Sequence, residues 1–183
     1  MGEIKKLHRR SIRLQGYDYS SLGDYHITIN TYHKQPLFGI INEEKLVPSE
    51  VGRVVERIWM DIPRHFPFVE LGPFVVMPNH FHGIISIVDE TGRGTACCAP
   101  TSDIQIDREF GKMPPHSIPA IIRSFKSAVT HEIRQSIPNL KNPVWQRNYY
   151  EHIIGSDEDY DIVAAYIEYN PSNWSSDKEN AGN

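Results

Sequence analysis

An apolar stretch in the middle of the chain constrains the fold more than any other segment. Residues 74–77 and residues 80–87 are rich in Phe, Val and Ile, and only Pro78-Asn79 separates them. Aromatic and β-branched runs bounded by turn residues are typical of strands, and a connection this short joins strands that run antiparallel. The segment therefore predicts two antiparallel strands, with residues 68–71 leading into the first of them through a bend at Gly72-Pro73.

Further segments show the periodicity of strands and amphipathic helices. Additional strands are predicted at residues 25–31 and at 144–150 with 153–154, and helices at 47–61, 117–137 and 156–171. Ser156 and Asp159 resemble a capping pair at the start of the last helix, and Pro171 limits its end. The order strand, helix, strand, strand, helix, strand, helix predicts an α+β fold in which helices pack on an antiparallel sheet, with a ferredoxin-like arrangement as the leading topology.

The length of 183 residues is suited to one well-packed domain with an insertion. We predict a basic amino-terminal arm (1–24), a domain (25–174) with a loop insertion at about 89–116, and a polar, disordered tail (175–183). No apolar run approaches the roughly 20 residues of a membrane-spanning helix, and no secretory signal is recognisable, so we expect a cytoplasmic protein. Cys97 and Cys98 are adjacent, which argues against a disulfide framework or a Cys-x-x-Cys zinc site.

The overall charge does not indicate a nucleic-acid-binding protein. The formal net charge is −4, so such a role would require a local basic surface. A solvated charged face is the commoner interpretation of any charge cluster. The candidate basic clusters are Lys5, Lys6, Arg9, Arg10 and Arg13 in the arm, and Arg123, Lys126, Arg134 and Arg147 in the domain.

Two pairs of polar residues have spacings that suit a catalytic site. His80 and His82 would share one face of a strand, where two imidazoles can bind one divalent metal, although they could equally be ordinary polar residues at a strand edge. Tyr166 and Asn170 lie four residues apart on the last helix. A tyrosine is a weak nucleophile unless a metal or base favours its phenolate, and Tyr166 also fits the pattern of a core aromatic residue.

Several ordered motifs between residues 9 and 174 resemble the REP-associated tyrosine transposases. These are single-tyrosine relatives of insertion-sequence transposases that carry a His-hydrophobic-His (HUH) motif. The motifs are Arg9-Arg10-Ser11-Ile12-Arg13-Leu14 with Gly16-Tyr17-Asp18-Tyr19, Tyr25-His26-Ile27-Thr28-Ile29, Met77-Pro78-Asn79-His80-Phe81-His82-Gly83, Trp145-Gln146-Arg147-Asn148-Tyr149-Tyr150-Glu151-His152-Ile153-Ile154, and Tyr166-Ile167-Glu168-Tyr169-Asn170-Pro171.

This resemblance implies an HUH endonuclease fold that acts on single-stranded or hairpin DNA. It implies that Tyr166 is the nucleophile and that His80, His82 and Asn170 bind Mg²⁺ or Mn²⁺. Pro171 is expected to bias the backbone of Asn170 away from the helical region. The competing tyrosines are Tyr149, Tyr150, Tyr160 and Tyr169, of which Tyr149 and Tyr150 suit packing or stacking on DNA bases.

Basic and polar residues within these motifs are candidate contacts to the DNA backbone. Arginine favours phosphate, but surface or strand-end positions and a flexible arm are comparable alternatives. The candidate DNA-binding residues are Arg9, Arg10, Arg13, Arg123, Lys126, Gln146 and Arg147.

The sequence leaves three hypotheses open. The first is a metal-dependent enzyme that nicks and joins single-stranded DNA through a 5′-phosphotyrosine. The second is a domesticated relative that binds structured single-stranded DNA without cutting it, and the third is a hydrolase that uses the histidine pair without Tyr166. The protein could act as a monomer or a homodimer, because the helix of Tyr166 could complete its own site or that of a partner.

Overall fold

The computed structural model describes residues 17–89, 114, 116–138, 140, 142–177 and 179–180. The strands are β1 (Gly23–Asn30), β2 (Gly39–Asn42), β3 (Lys45–Pro48), β4 (Val69–Val76), β5 (His80–Ile87) and β6 (Tyr150–Ile154). The helices are α1 (Glu50–Met60), α2 (Ile62–His65), α3 (Ile118–Ser136) and α4 (Asp157–Tyr169), with short 3₁₀ turns at Tyr32–Lys34 and Trp174–Ser176.

The main sheet has the strand order β4-β5-β1-β6, and every neighbouring pair is antiparallel. With α1 between β1 and β4 and α3 between β5 and β6, this order is that of a ferredoxin-like fold. Helices α1 and α3 contact each other and share the large core, whereas α4 packs against β4, β5 and β6. The prediction of an α+β fold with helices on an antiparallel sheet is confirmed.

The alternation of side chains along β1 and β5 separates the core from the candidate site. Tyr25, Ile27 and Phe81 point into the large core beneath α1 and α3. His26 and His82, on the other face, line a cavity beside α4. The rings of His80 and His82 lie 4.7 Å apart on this face, so the prediction that the two histidines share one face of a strand is confirmed.

The glycine at position 52 allows helix α1 to lie close to the preceding chain. Ser49 caps α1 by accepting a hydrogen bond from the Gly52 amide at 3.1 Å, and a Cβ at Gly52 would overlap the Phe38 carbonyl oxygen. We expect Gly52→Ala to lower the free energy of unfolding by about 1–3 kcal/mol through overpacking. Gly155→Ala is the matched control, because a Cβ there meets nothing within 4 Å.

Urea unfolding of both variants measures this difference. A Gly52→Ala protein that is as stable as Gly155→Ala would show that α1 does not pack tightly on the Phe38 backbone.

Several elements differ from their predictions. The short helix α2 was not predicted. The β2–β3 hairpin was not predicted either, because Glu43 and Glu44 form its turn with φ angles of 47° and 61°, without the glycine or asparagine that usually indicates such a turn. The last strand begins at Tyr150 rather than at residue 144, since Trp145 only bridges Thr31 before the chain reaches β6.

Other predicted segments fall partly or wholly outside the described residues. Arg9, Arg10 and Arg13, both cysteines and most of the predicted insertion lie there. Within the described part of the chain, no helix combines the length and the apolar character needed to cross a membrane.

The described part of the predicted tail, residues 175–177 and 179–180, differs from its prediction as disordered. Trp174–Ser176 forms a 3₁₀ turn, and Asp177 and Glu179 contact the end of the sheet that carries the histidines. Polar composition predicted disorder, but these side chains have specific polar partners in the folded domain.

Candidate active site

Two buried histidines at the start of β5 form the centre of the candidate site. His80 and His82 are 0% and 3% exposed, and the centroids of their rings are 4.7 Å apart. His80 Nδ1 lies 2.8 Å from the Asn79 side-chain oxygen, and His82 Nδ1 lies 2.9 Å from the Thr28 hydroxyl. An amide oxygen can only accept, so His80 carries its proton on Nδ1 and leaves the Nε2 lone pair available.

The Nε2 atom of His80 is buried and has no hydrogen-bond partner among the described residues. The nearest acidic group is the Asp177 carboxylate, whose oxygen lies 3.6 Å away. Buried polar atoms usually have a partner, and an exception requires an explanation such as a catalytic role or a bound ion.

Burial keeps the histidines of the site neutral near pH 7. It lowers the pKa of both His80 and His82, and the neighbouring His26 lowers that of His82 further. His26 lies 3.2 Å from His82 Nδ1, and burial lowers its own pKa to about 4. Neutral imidazoles are the form that binds metals.

Tyr166 extends from α4 towards the histidine pair. Its hydroxyl lies 3.5 Å from His82 Nε2, and its ring meets the His82 ring edge-on at a centroid distance of 5.2 Å. The side chain is 49% exposed, so the hydroxyl is accessible to a ligand. Burial, together with the Asp177 and Glu179 charges, raises the pKa of Tyr166, whereas a hydrogen bond from Asn170 lowers it.

Asn170 completes the polar lining beneath Tyr166. It caps the carboxyl end of α4 with φ −57° and ψ −43°. The expectation that Pro171 would bias Asn170 away from the helical region is therefore wrong, and Tyr166 and Asn170 share one side of the helix. Asn170 is 3% exposed, and its side-chain oxygen has no hydrogen-bond partner among the described residues.

His26, His82, Tyr166 and Asn170 border an open cavity of about 870 Å³. Tyr149, Tyr150 and Gln146 also line it, so two of the competing tyrosines lie near the histidines. The other competing tyrosines are placed differently: the Tyr160 hydroxyl lies against Gly72, and Tyr169 is 61% exposed.

The predicted basic contacts lie mostly outside this cavity. Lys126 and Arg147 line a second cleft between α3 and the segment before β6, and Arg123 lines a groove farther along α3. The Lys126 ammonium donates to the Gln146 carbonyl at 2.7 Å, and burial lowers the pKa of Lys126 to about 8. Lys126 thus holds the segment that places Gln146 at the cavity.

Sequence reasoning missed the residues that support the site. His26 and Thr28 contact His82, Asn79 contacts His80, and Asp177 and Glu179 reach the cavity from the tail. Alternation along β1 could have identified His26 and Thr28, because they face away from the core residues Tyr25 and Ile27. The sequence contains no periodic signal for Asp177 or Glu179.

Residues 110–170 match the family model described as "Transposase IS200 like". An uncharacterized protein of Haemophilus influenzae is 40% identical to the chain over 171 residues, which cover 93% of this chain and 92% of that protein. The chain belongs to the IS200-like transposase family.

A solved structure shares the fold of this transposase. It is described as a REP-associated tyrosine transposase bound to a REP hairpin, and the match has a TM-score of 0.57 at 20% identity, covering 90% of this chain and 74% of that chain. The arrangement of sheet and helices is therefore common to both proteins.

The donor set of this transposase fits a divalent metal. The His80 and His82 Nε2 atoms and the Asn170 side-chain oxygen are two nitrogen ligands and one oxygen ligand, and two of the three have no other partner among the described residues. The part of the chain that the structure describes contains no group of three His, Cys, Asp or Glu residues placed to hold a metal. A metal here would therefore depend on the asparagine amide or on water for its remaining ligands.

The buried His26 predicts that the metal-free protein loses stability in mild acid. Its pKa falls from an ordinary 6.5 to about 4 on folding, so below pH 6.5 the unfolded chain binds a proton that the folded chain does not. Well above pH 6.5 His26 has no effect on the free energy of unfolding. As the pH falls below 6.5 that free energy falls, by about 2 kcal/mol between pH 7 and pH 5 for His26 alone.

Urea titrations at pH 7 and pH 5 in the presence of a chelator test this expectation. A His26→Gln variant is expected to lose less stability over the same interval. Equal losses in the two proteins would mean that His26 is not held neutral by burial.

Proposed function

We propose that this transposase family member cuts and rejoins single-stranded DNA with Tyr166 as its nucleophile and with His80, His82 and Asn170 as ligands of Mg²⁺ or Mn²⁺. The observation that carries the proposal is the position of the Tyr166 hydroxyl, 3.5 Å from His82 Nε2 at an open cavity. The Tyr166 hydroxyl and one of the two proposed metal-binding nitrogens, His82 Nε2, thus lie at one space that a phosphate can enter.

The reaction exchanges one phosphodiester for another. The Tyr166 oxygen forms a bond to the scissile phosphorus, the bond from phosphorus to the 3′ oxygen breaks, and the phenol proton passes to solvent, which reaches this half-exposed side chain. The products are a 5′-phosphotyrosine and a free 3′-hydroxyl. Because the number of ester bonds is unchanged, the 3′-hydroxyl of a strand can reverse the step without ATP.

The surrounding side chains orient the reacting groups. Asn79 and Thr28 fix the ring orientations of His80 and His82, and the Asn170 hydrogen bond lowers the pKa of Tyr166, against the effect of burial. A divalent metal in this position would neutralise charge on the phosphate in the transition state. Tyr150, 56% exposed at the cavity, supplies a ring on which a DNA base could stack.

The proposed substrate is a hairpin with an adjacent single strand. The support is the structural relative, which is described as bound to a REP hairpin. Because Tyr166 lies beside the His82 of its own chain, one protomer contains the whole proposed site, and a monomer suffices for the chemistry.

A second candidate function is DNA binding without cleavage. The observation that favours it is that burial and the charges of Asp177 and Glu179, which line the same cavity, raise the pKa of Tyr166. A raised pKa opposes formation of the phenolate that cleavage would require.

One experiment separates these functions. The protein is incubated with Mn²⁺ or Mg²⁺ and labelled single-stranded hairpins from the DNA that flanks its gene, and denaturing gels are searched for a covalent adduct. We expect an adduct whose nucleotide maps to the Tyr166 peptide by mass spectrometry. Attachment at another tyrosine would contradict the assignment, cleavage without an adduct would indicate a hydrolase, and binding without cleavage would favour the second candidate.

A further inference from the structure

The end of β1 places a small group of polar hydrogen-bond donors at the rim of the cavity. Asn30 is the last residue of β1 and pairs with His80 in the sheet register. Immediately after it, the chain turns, and both His33 and Lys34 adopt positive φ angles of 52° and 53°. Residues other than glycine rarely adopt this conformation, and such strain is concentrated at functional sites.

The carboxylate of Glu179 occupies this group of donors. The Asn30 side-chain nitrogen donates to Glu179 Oε2 at 2.6 Å, and the Lys34 ammonium lies 3.2 Å from the same oxygen. The Asn79 side-chain nitrogen donates to the Glu179 backbone carbonyl at 2.6 Å. Three side chains from the folded domain therefore converge on one residue of the tail.

This geometry leads to an inference that rests on the proposed function. We propose that Asn30 and Lys34 form a phosphate-binding subsite for the DNA strand next to the scissile phosphate, and that Glu179 occupies this subsite in the absence of DNA. Amide and ammonium donors that bind a carboxylate oxygen also bind a phosphate oxygen, because both are charged acceptors of similar geometry.

The position of the subsite fits this role. Asn30 lines the same cavity as Tyr166 and His82, and its register partner His80 is a proposed metal ligand. The Asn30 side-chain oxygen is buried without a hydrogen-bond partner among the described residues, which indicates that its amide is oriented by what its nitrogen binds.

Competition between Glu179 and DNA makes a quantitative prediction. Glu179→Gln removes the charge that binds Asn30 and Lys34, so residue 179 competes less strongly with DNA. The affinity for a labelled single-stranded oligonucleotide is expected to increase by about 3–10-fold. Lys34→Gln is expected to change affinity by less than about 3-fold in the wild-type background, since DNA and Glu179 both lose the contact. In the Glu179→Gln background, Lys34→Gln is expected to lower the affinity for DNA by about 3–10-fold. It is also expected to reduce the slope of log affinity against log salt concentration by about 0.7.

The experiment measures fluorescence anisotropy of the full-length variants with a mixed-sequence single-stranded oligonucleotide in a chelator, so that strand cleavage plays no part. Glu56→Gln on α1 and Lys45→Gln on β3 are matched controls, because both are exposed and neither lines the cavity. Each control makes the same change of net charge away from the site.

The outcomes for the inference and for the proposed function are distinguishable. Binding that responds to Glu179→Gln no more than to Glu56→Gln would overturn the subsite while leaving the proposed function standing. An equal effect of Lys34→Gln in both backgrounds would show that Glu179 and DNA do not compete for Lys34 and would also overturn it. Absence of binding in the wild type and every variant, both to this oligonucleotide and to the flanking hairpins, would overturn the proposed function together with the inference.

Discussion

Substitution of Tyr166 by phenylalanine is expected to lower the rate of covalent attachment to DNA by at least about 10³-fold, because the reaction loses its nucleophile. DNA affinity is expected to remain within about two-fold of wild type, since the ring and its contact with His82 are retained. The measurement is single-turnover adduct formation with the hairpin substrate, accompanied by a binding assay.

The fold is expected to tolerate this change. The Tyr166 side chain is 49% exposed, and its hydroxyl makes a long contact with His82 and a hydrogen bond with Asn170, so the thermal midpoint should differ little from wild type. Tyr169→Phe, one turn along on the same helix, is the matched control and should retain attachment. Undiminished adduct formation by Tyr166→Phe would instead indicate that Tyr149 or Tyr150, which line the same cavity, is the nucleophile.

Residue patterns predicted the sheet and the faces of its strands because burial imposes a period on them. Phe81 alternates with His80 and His82, and the structure places Phe81 in the core and both histidines on the cavity side. The capping pair at α4 was also confirmed, since Ser156 accepts a hydrogen bond from the Asp159 amide. The four-residue spacing of Tyr166 and Asn170 correctly predicted that they share one side of that helix.

Features that depend on contacts distant in sequence could not be predicted. The β2–β3 turn relies on Glu43 and Glu44 at positive φ, which composition does not reveal. The association of Glu179 with Asn30 joins residues 149 positions apart and has no periodic pattern. Composition alone predicts that polar tails are disordered. Here Glu179 is instead held by hydrogen bonds to Asn30 and Asn79 at the end of the sheet.

The family and the geometry contribute different parts of the functional argument. Membership of the IS200-like transposases supports DNA processing, whereas the arrangement of Tyr166, His82 and Asn170 suggests how a phosphate would be attacked. These side chains come from β5 and α4 of one chain.

The proposed metal site provides the second large expected effect. His80 is buried with its Nε2 atom unpartnered among the described residues, so a metal that binds it should stabilise the folded protein more than the unfolded chain. At about 100 times its dissociation constant a ligand contributes about 2.7 kcal/mol. For a domain of this size that corresponds to a rise in thermal midpoint of about 5–10 °C on addition of Mn²⁺.

His80→Ala is expected to abolish this rise and to lower adduct formation by about 10²-fold or more, because both effects depend on the same ligand. His65→Ala is the control and should keep both, because His65 is exposed, pairs with Asp61 and does not line the cavity. Differential scanning calorimetry with and without Mn²⁺ gives a readout that does not require DNA. A midpoint that rises equally in wild type and His80→Ala would place the metal elsewhere, whereas loss of the rise with adduct formation intact would separate metal binding from the chemistry of Tyr166.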